Sequence, residues 1–280
     1  MNKLTFSILA AVLLTLPVAL HAQQPKGEPT NAKEAAEKKA AADKANDERY
    51  QKWKATRPAE EQAWLKVLEE CLGGFYLPLY KMEKARGSVS AWDYVEDDPK
   101  LPRVLLIGDS VSRGYTLPTR KALAGKVNVH RAPENCGPTA NGLKKLDIWL
   151  GDGKWDLIHF NFGIHDRGTK TADYEQRLEQ IIARLQKTGA MLMWASTTPV
   201  PGDGKDGPAA PAAIVTRNEA AARVMKKYNI AVDDLYAHMQ PHLAEYQNPK
   251  DVHFNGPGYD FLGQKVATEI LGALAGRKAK

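Results

Sequence analysis

From Arg103 onward the chain alternates between short apolar runs and longer amphipathic stretches. Val104-Leu105-Leu106-Ile107 is continuously apolar and stops at Gly108. Val127-Asn128-Val129-His130 is a weaker run, and further runs cover 156–162, 190–195 and 230–232. A run of four to seven apolar residues without polar alternation marks a strand buried on both faces. Helical spacing fills the intervals at 117–124, 140–150, 173–187, 209–227 and 258–274. Strand and helix in regular alternation predict a parallel sheet covered on both sides.

Upstream the pattern differs. Residues 23–30 are rich in Pro, Gly and Gln and read as a flexible leader. Residues 31–56 are mostly Ala, Lys, Glu and Asp, with no apolar side chain larger than Ala before Tyr50 and Trp53. Helix propensity there is high, but most of such a helix has nothing to bury. A solvated arm is one reading and an envelope tether or docking helix the other. Pro58 opens a second helix, whose apolar face is Trp64, Val67, Leu68, Cys71 and Leu72 and whose end is set by Gly73-Gly74. The aromatic run from Phe75 to Tyr80 reads as packing on the domain behind it, with a sugar-facing platform as the alternative. The expected organisation is a signal segment at 1–22, a charged leader at 23–57, a helical extension at 58–100 and an α/β domain at 101–280.

The first 22 residues explain the compartment. Lys3, an apolar run from Leu4 to Leu20, and the small Ala22 before Gln23 describe a secretory signal cleaved after Ala22. A membrane anchor is the competing reading. Cleavage predicts a periplasmic or secreted protein without stable membrane insertion. In that compartment Cys71 and Cys136 can bridge, or remain two separate buried thiols. Hydrophobic residues make up 43% of the 280, which suffices for one sizeable core and excludes a disordered or collagen-like chain. A net charge of +6 without aromatic-basic interleaving excludes nucleic acid as a partner.

Ligands of open α/β sheets bind at the carboxyl ends of the strands. The polar residues there are Gly108-Asp109-Ser110, Asn135-Cys136-Gly137-Pro138-Thr139, Gly163-Ile164-His165-Asp166 and, before the last helix, Asp251-Val252-His253-Phe254. A serine hydroxyl becomes a nucleophile when a histidine takes its proton. The histidine needs a group that fixes its tautomer, and the developing oxyanion needs donors aimed at it beforehand. Asp109 and Asp166 are expected to hold loops by hydrogen bonds. Arg113 and Tyr115 follow the serine closely and are candidates for lining a pocket. Arg131 and Glu134 are further candidates, with surface pairing as the alternative. No metal-ligand spacing is present.

These blocks resemble the SGNH hydrolases, the GDSL-type esterases and lipases. The resemblance covers roughly 103–274 and rests on VLLIGDSVSRGY, NCGPT, NFGIHD and DVHFNGPGYDFLG. The combination also looks like an exported bacterial branch whose third block reads G-x-H-D. It implies a flavodoxin-like three-layer αβα sandwich with a five-stranded parallel sheet, preceded here by a helical extension. It further implies Ser110 as nucleophile, the N–H groups of Ser110 and Gly137 in the oxyanion hole, His253 as base and Asp251 as its orienting carboxylate. Neither metal nor cofactor is implied. Two positions depart from the pattern. The donating Asn of the third block is His165, and Asn161 is the competing donor. The acid of the usual D-x-x-H would fall on Lys250, but it stands one residue closer, at Asp251. If the segment is extended, side chains two apart point the same way and Asp251 reaches the imidazole. Otherwise Asp251 is a surface residue beside a Ser-His dyad. The expected activity is that of an exported serine esterase acting on an ester-bearing small molecule or polysaccharide, chiefly O-acetyl groups on a carbohydrate. A lysophospholipase or thioesterase and a catalytically idle sugar-binding module are the alternatives. Residues 201–211 are Gly, Asp, Lys, Pro and Ala, so no apolar lid for long acyl chains is evident.

Overall fold

The computed structural model describes residues 28–278. The expected signal segment at 1–22 lies outside the described residues. The chain divides into a unit that ends at Lys44 and a larger unit that begins at Ala45. The described part of the first unit is the start of helix α1 (Glu28–Lys54). Over 33–44 its side chains are exposed and laced by pairs one turn apart, such as Lys38–Glu34 and Lys39–Asp43, each at 2.7 Å. Exposed pairs of this kind contribute a few tenths of a kcal/mol each.

In the larger unit, Tyr50 and Trp53 of α1 pack with α2 (Ala59–Cys71) and α3 (Gly73–Ala85). Tyr50, Leu65, Leu68, Leu72, Tyr80 and Trp92 form a buried cluster of their own. So α1 is solvated over 33–44 and buries Tyr50 near its end. Gly73-Gly74 was expected to end helical structure, and it does terminate α2. The chain then restarts at once as α3, a helix that the aromatic run and Pro78 conceal from propensity.

The α/β body follows in order as β1 (Arg103–Ile107), α4 (Ser110–Ala122), β2 (Asn128–Arg131), α5 (Thr139–Leu150), β3 (Leu157–Phe160), α6 (Thr171–Gln186), β4 (Met191–Ala195), α7 (Ala210–Tyr228) and β5 (Ala231–Asp233). Two short helices, α8 (Leu235–Met239) and α9 (Leu243–Tyr246), precede the closing α10 (Gly256–Lys278). The five strands form one parallel sheet in the order β2-β1-β3-β4-β5. This is the parallel sheet covered on both sides that the apolar runs predict, and the three-layer sandwich that the resemblance implies.

Alternate residues of each strand feed opposite layers. Val104 and Leu106 join Val111, Tyr115, Leu262, Val266 and Ile270 beneath α4 and α10. Leu105 and Ile107 join Leu146, Leu178, Ile181, Ile182 and Val224 beneath α5, α6 and α7. Burying a side chain of this size contributes about 1.5–3 kcal/mol, so the sheet is fixed from both sides. A polar pair lies within the core: His159 Nε2 and Asp233 Oδ2 meet at 3.0 Å, both fully buried.

The first layer contains a close crossing. A Cβ on Gly114 of α4 would collide with the Tyr259 ring of α10, and a Cβ on Gly263 of α10 would collide with Pro118 Cβ of α4. Two glycines therefore let the helix that begins at Ser110 lie against the helix that follows His253. Gly263→Ala should lower stability by about 1–3 kcal/mol, the usual range for overpacking, and lower Tm by several degrees. Gly272→Ala on the same helix meets no atom within 4 Å and should raise stability by about 0.5–1 kcal/mol. Thermal unfolding of the two variants tests the pair; equal Tm values would refute the close crossing.

Candidate active site

Ser110 is the first residue of α4, where the chain leaves β1. Asp109 caps that helix: its carboxylate accepts the Val111 N–H at 2.9 Å and is buried. The first-turn N–H groups of a helix have no intrahelical acceptor and favour negative charge. Arg131, at the end of β2 and 2% exposed, lies beneath this turn. Its guanidinium donates to Gly108 O at 3.2 Å, Asp109 O at 2.9 Å and Ser112 Oγ at 2.5 Å. The serine is thereby mounted on a turn clamped from below.

His253 reaches Ser110 from 143 positions away in sequence, with Nε2 to Oγ at 2.7 Å. Its other nitrogen, Nδ1, lies 2.7 Å from Asp251 Oδ1. A carboxylate only accepts, so Nδ1 carries the proton and Nε2 is left to accept from the serine. The same Asp251 oxygen accepts the His253 backbone N–H at 3.2 Å. The segment is a bend rather than extended chain. Asn248 N–H donates to His253 O at 2.9 Å, Asp251 N–H donates to Asn248 O at 3.1 Å, and Lys250 takes φ 58°. That left-handed residue lets the acid fold back on a histidine two positions on. The expectation of an extended segment is thus replaced, while the contact it was meant to explain is present. Burial raises the Asp251 pKa, but hydrogen bonds from the His253 ring and backbone outweigh it. The carboxyl is held below its usual range.

The second and third blocks are tied together. Asp166, fully buried, accepts from Thr139 N–H at 2.8 Å, Thr139 Oγ1 at 2.7 Å and Thr169 Oγ1 at 3.2 Å. This holds Gly137, at φ +65°, beside the one-turn helix that carries His165. Cys136 N–H donates to Gly108 O at 3.1 Å, which binds the second block to the serine turn. His165 is exposed. Asn161 is buried, and its amide donates to Ala195 O at 2.8 Å and Thr197 Oγ1 at 3.1 Å. Both of its N–H bonds are spent there, so Asn161 is removed as a competing oxyanion donor.

The model of the GDSL-like lipase/acylhydrolase family matches residues 106–261. The chain belongs to this family. It is a carboxylic ester hydrolase. No curated protein matches the hydrolase in sequence. Among solved structures, a lipase/acylhydrolase from Enterococcus faecalis is similar at TM-score 0.56 and 22% identity, covering 62% of this chain and 97% of that one. The acetyl xylan esterase AlAXEase is similar at 0.53 and 15%, covering 60% and 99%. Axe2, an acetylxylan esterase from Geobacillus stearothermophilus, is similar at 0.51 and 14%, covering 60% and 94%. At these identities the likeness is one of fold.

Arg113 pairs with Glu83 at 3.0 Å and stacks 5.0 Å from the centre of the Trp92 ring. Tyr115 is core, 2% exposed, with its ring edge-on to His159 at 6.2 Å. It borders an internal cavity of about 10 Å³ beneath the serine turn, room for about one water. Glu134 accepts from Lys145 at 2.9 Å and Trp149 Nε1 at 2.8 Å. Cys71 and Cys136 are both free thiols; burial pushes Cys136 up to about 12. Arg131 as a clamp and Trp92 as its aromatic support (5.8 Å) were not legible. An arginine at a strand end carries no signal that distinguishes a rim from a floor.

The strained turn at Lys250 yields a test. Lys250→Gly removes the left-handed penalty and should keep kcat and Tm near wild type. Lys250→Val places a β-branched residue at positive φ and should cost about 1–2 kcal/mol with a parallel fall in kcat. Ester turnover and thermal melts of both variants decide it; a wild-type Val variant would show that the turn does not set the acid.

Proposed function

We propose that this hydrolase is an exported serine esterase that removes acyl groups, chiefly O-acetyl, from a carbohydrate through an acyl-enzyme. The observation that carries the reading is the continuous relay Ser110–His253–Asp251, with two contacts of 2.7 Å at the carboxyl edge of the sheet. In this reading Ser110 Oγ attacks the ester carbonyl as His253 Nε2 takes its proton. Asp251 holds the ring and stabilises its charged form. The N–H groups of Ser110 and Gly137 and the His165 side chain hold the oxyanion. The tetrahedral intermediate collapses, His253 protonates the departing sugar oxygen, and a water deprotonated by the same ring releases the acid.

Three features support the substrate class. Two of the similar folds carry acetyl xylan esterase in their names. The loop at 201–211 lacks large apolar side chains for a long acyl chain. The His253 and Asp251 side chains are 33% and 44% exposed, which leaves the relay open to an ester on a bulky polymer. The apolar run from Leu4 to Leu20 supports export. The N-terminus of protein recovered from periplasm or medium should lie near Gln23; retention of Met1 would overturn export.

Ser110→Ala and His253→Ala should each lower kcat on p-nitrophenyl acetate by at least about 10³-fold with the fold intact by circular dichroism. Asp251→Asn should cost about 10³-fold, because it disturbs the tautomer that the carboxylate sets. Near wild-type turnover in the Ser110 variant would reject the mechanism. Acetate release from acetylated polysaccharides, set against longer acyl esters and lysophospholipids, tests the substrate class.

For the oxyanion, His165→Ala should lose about 10²–10³ in kcat, the typical cost of one missing donor, while His165→Asn retains much of the activity. Asn161→Ala should instead lower Tm, since it leaves the Ala195 carbonyl unpaired, with kcat changed little. The reverse ranking of the two Ala variants would return the role to Asn161.

A further inference from the structure

Phe75 is an aromatic ring left in solvent: 71% of its surface is exposed, more than any other large apolar residue described. It sits in the first turn of α3, and its ring meets Tyr76 edge-on with centroids 4.8 Å apart. Tyr76 is in turn attached to both loops that frame Ser110. Asn135 Nδ2, two residues before Gly137, donates to its hydroxyl at 2.9 Å. On the other side, the Arg113 guanidinium lies 5.8 Å from the Tyr76 ring centre and pairs with Glu83 of α3 at 3.0 Å. Arg113 is one helical turn beyond Ser110. Helix α3, which carries the exposed ring, is therefore fastened to the nucleophile helix and to the second block together. The family match begins at residue 106, beyond the end of α3.

An exposed ring next to the Tyr76 phenol, which itself meets the Asn135 amide and the Arg113 guanidinium, suits a ligand with an apolar face and a polar perimeter. A pyranose ring is such a ligand: its axial C–H groups lie on one face and meet the negative face of an aromatic ring, while its hydroxyls point outward. An acyl chain would want a continuous apolar trough instead. We propose that Phe75, braced by Tyr76, is a stacking platform for a pyranose ring of the glycan, adjacent to the unit whose ester Ser110 attacks. This rests on the carbohydrate reading above and narrows it to substrates of at least two sugar units. The N-terminal extension then sets the preference for oligosaccharide over small ester.

Steady-state kinetics on the full mature chain test this, with p-nitrophenyl acetate and acetylated xylo- and chito-oligosaccharides as the probes. Phe75→Ala should lower kcat/KM on the oligosaccharide that wild type turns over best by on the order of tenfold, mainly through KM. It should leave p-nitrophenyl acetate unchanged, and Phe75→Trp should retain or improve the oligosaccharide activity. Equal losses on both substrate types would show a structural role and overturn the proposal. So would unchanged kinetics on both, or a change confined to the oligomeric mass, which would assign the ring to self-association. If wild type cleaves p-nitrophenyl acetate but none of the oligosaccharides, the carbohydrate reading fails first and takes this proposal with it. If wild type cleaves oligosaccharides and Phe75→Ala does so equally well, only the platform fails.

Discussion

The crossing of α4 over α10 is the constraint on which the site depends. Ser110 opens one of these helices and His253 precedes the other by a few residues. Their 2.7 Å contact is thus a readout of how closely two helix axes approach. Helices separated by ordinary side chains pack 8–10 Å apart; Gly114 and Gly263 remove the side chains at the points of nearest approach. Interiors are close-packed and bistable rather than soft, so a displaced axis would reach the hydroxyl and the imidazole undiminished.

Beneath that crossing, the serine turn is held by charge rather than by apolar packing. Arg131 is buried with its guanidinium on two carbonyls and a hydroxyl, and Trp92 of the preceding segment lies against it. Trp92 also faces Arg113. One tryptophan outside the α/β body thereby backs two arginines that bracket the nucleophile. The N-terminal helices are part of the structure that holds the site, and not merely a stalk before it.

Much of this was legible in the residues. The parallel sheet follows from runs such as Val104–Ile107, whose lack of alternation has one physical meaning. The positions of Ser110 and His253 follow from strand ends and from the family's blocks. The rest was hidden for identifiable reasons. Helix α4 begins seven residues before its apolar spacing does, because Gly114 and Pro118 interrupt the pattern. Helix α3 follows a Gly-Gly pair that marks a stop in most contexts. Arg113 and Tyr115 were read by their distance along the chain from Ser110, but on a helix that distance does not say which side a residue faces. Asn161 looked like a donor because it is an amide at a strand end; its hydrogens were already committed across the sheet to β4.

The bend from Asn248 to His253 closes on itself. Acid and base belong to one tight turn, cross-linked by its own backbone hydrogen bonds and by a left-handed lysine. In a triad assembled from three separate segments, three mutual positions must be preserved as a scaffold drifts. Here two members travel as a single cassette, so the body of the protein has one alignment to keep. A lineage built this way can vary its sheet, loops and added helices freely so long as that cassette stays docked against one serine.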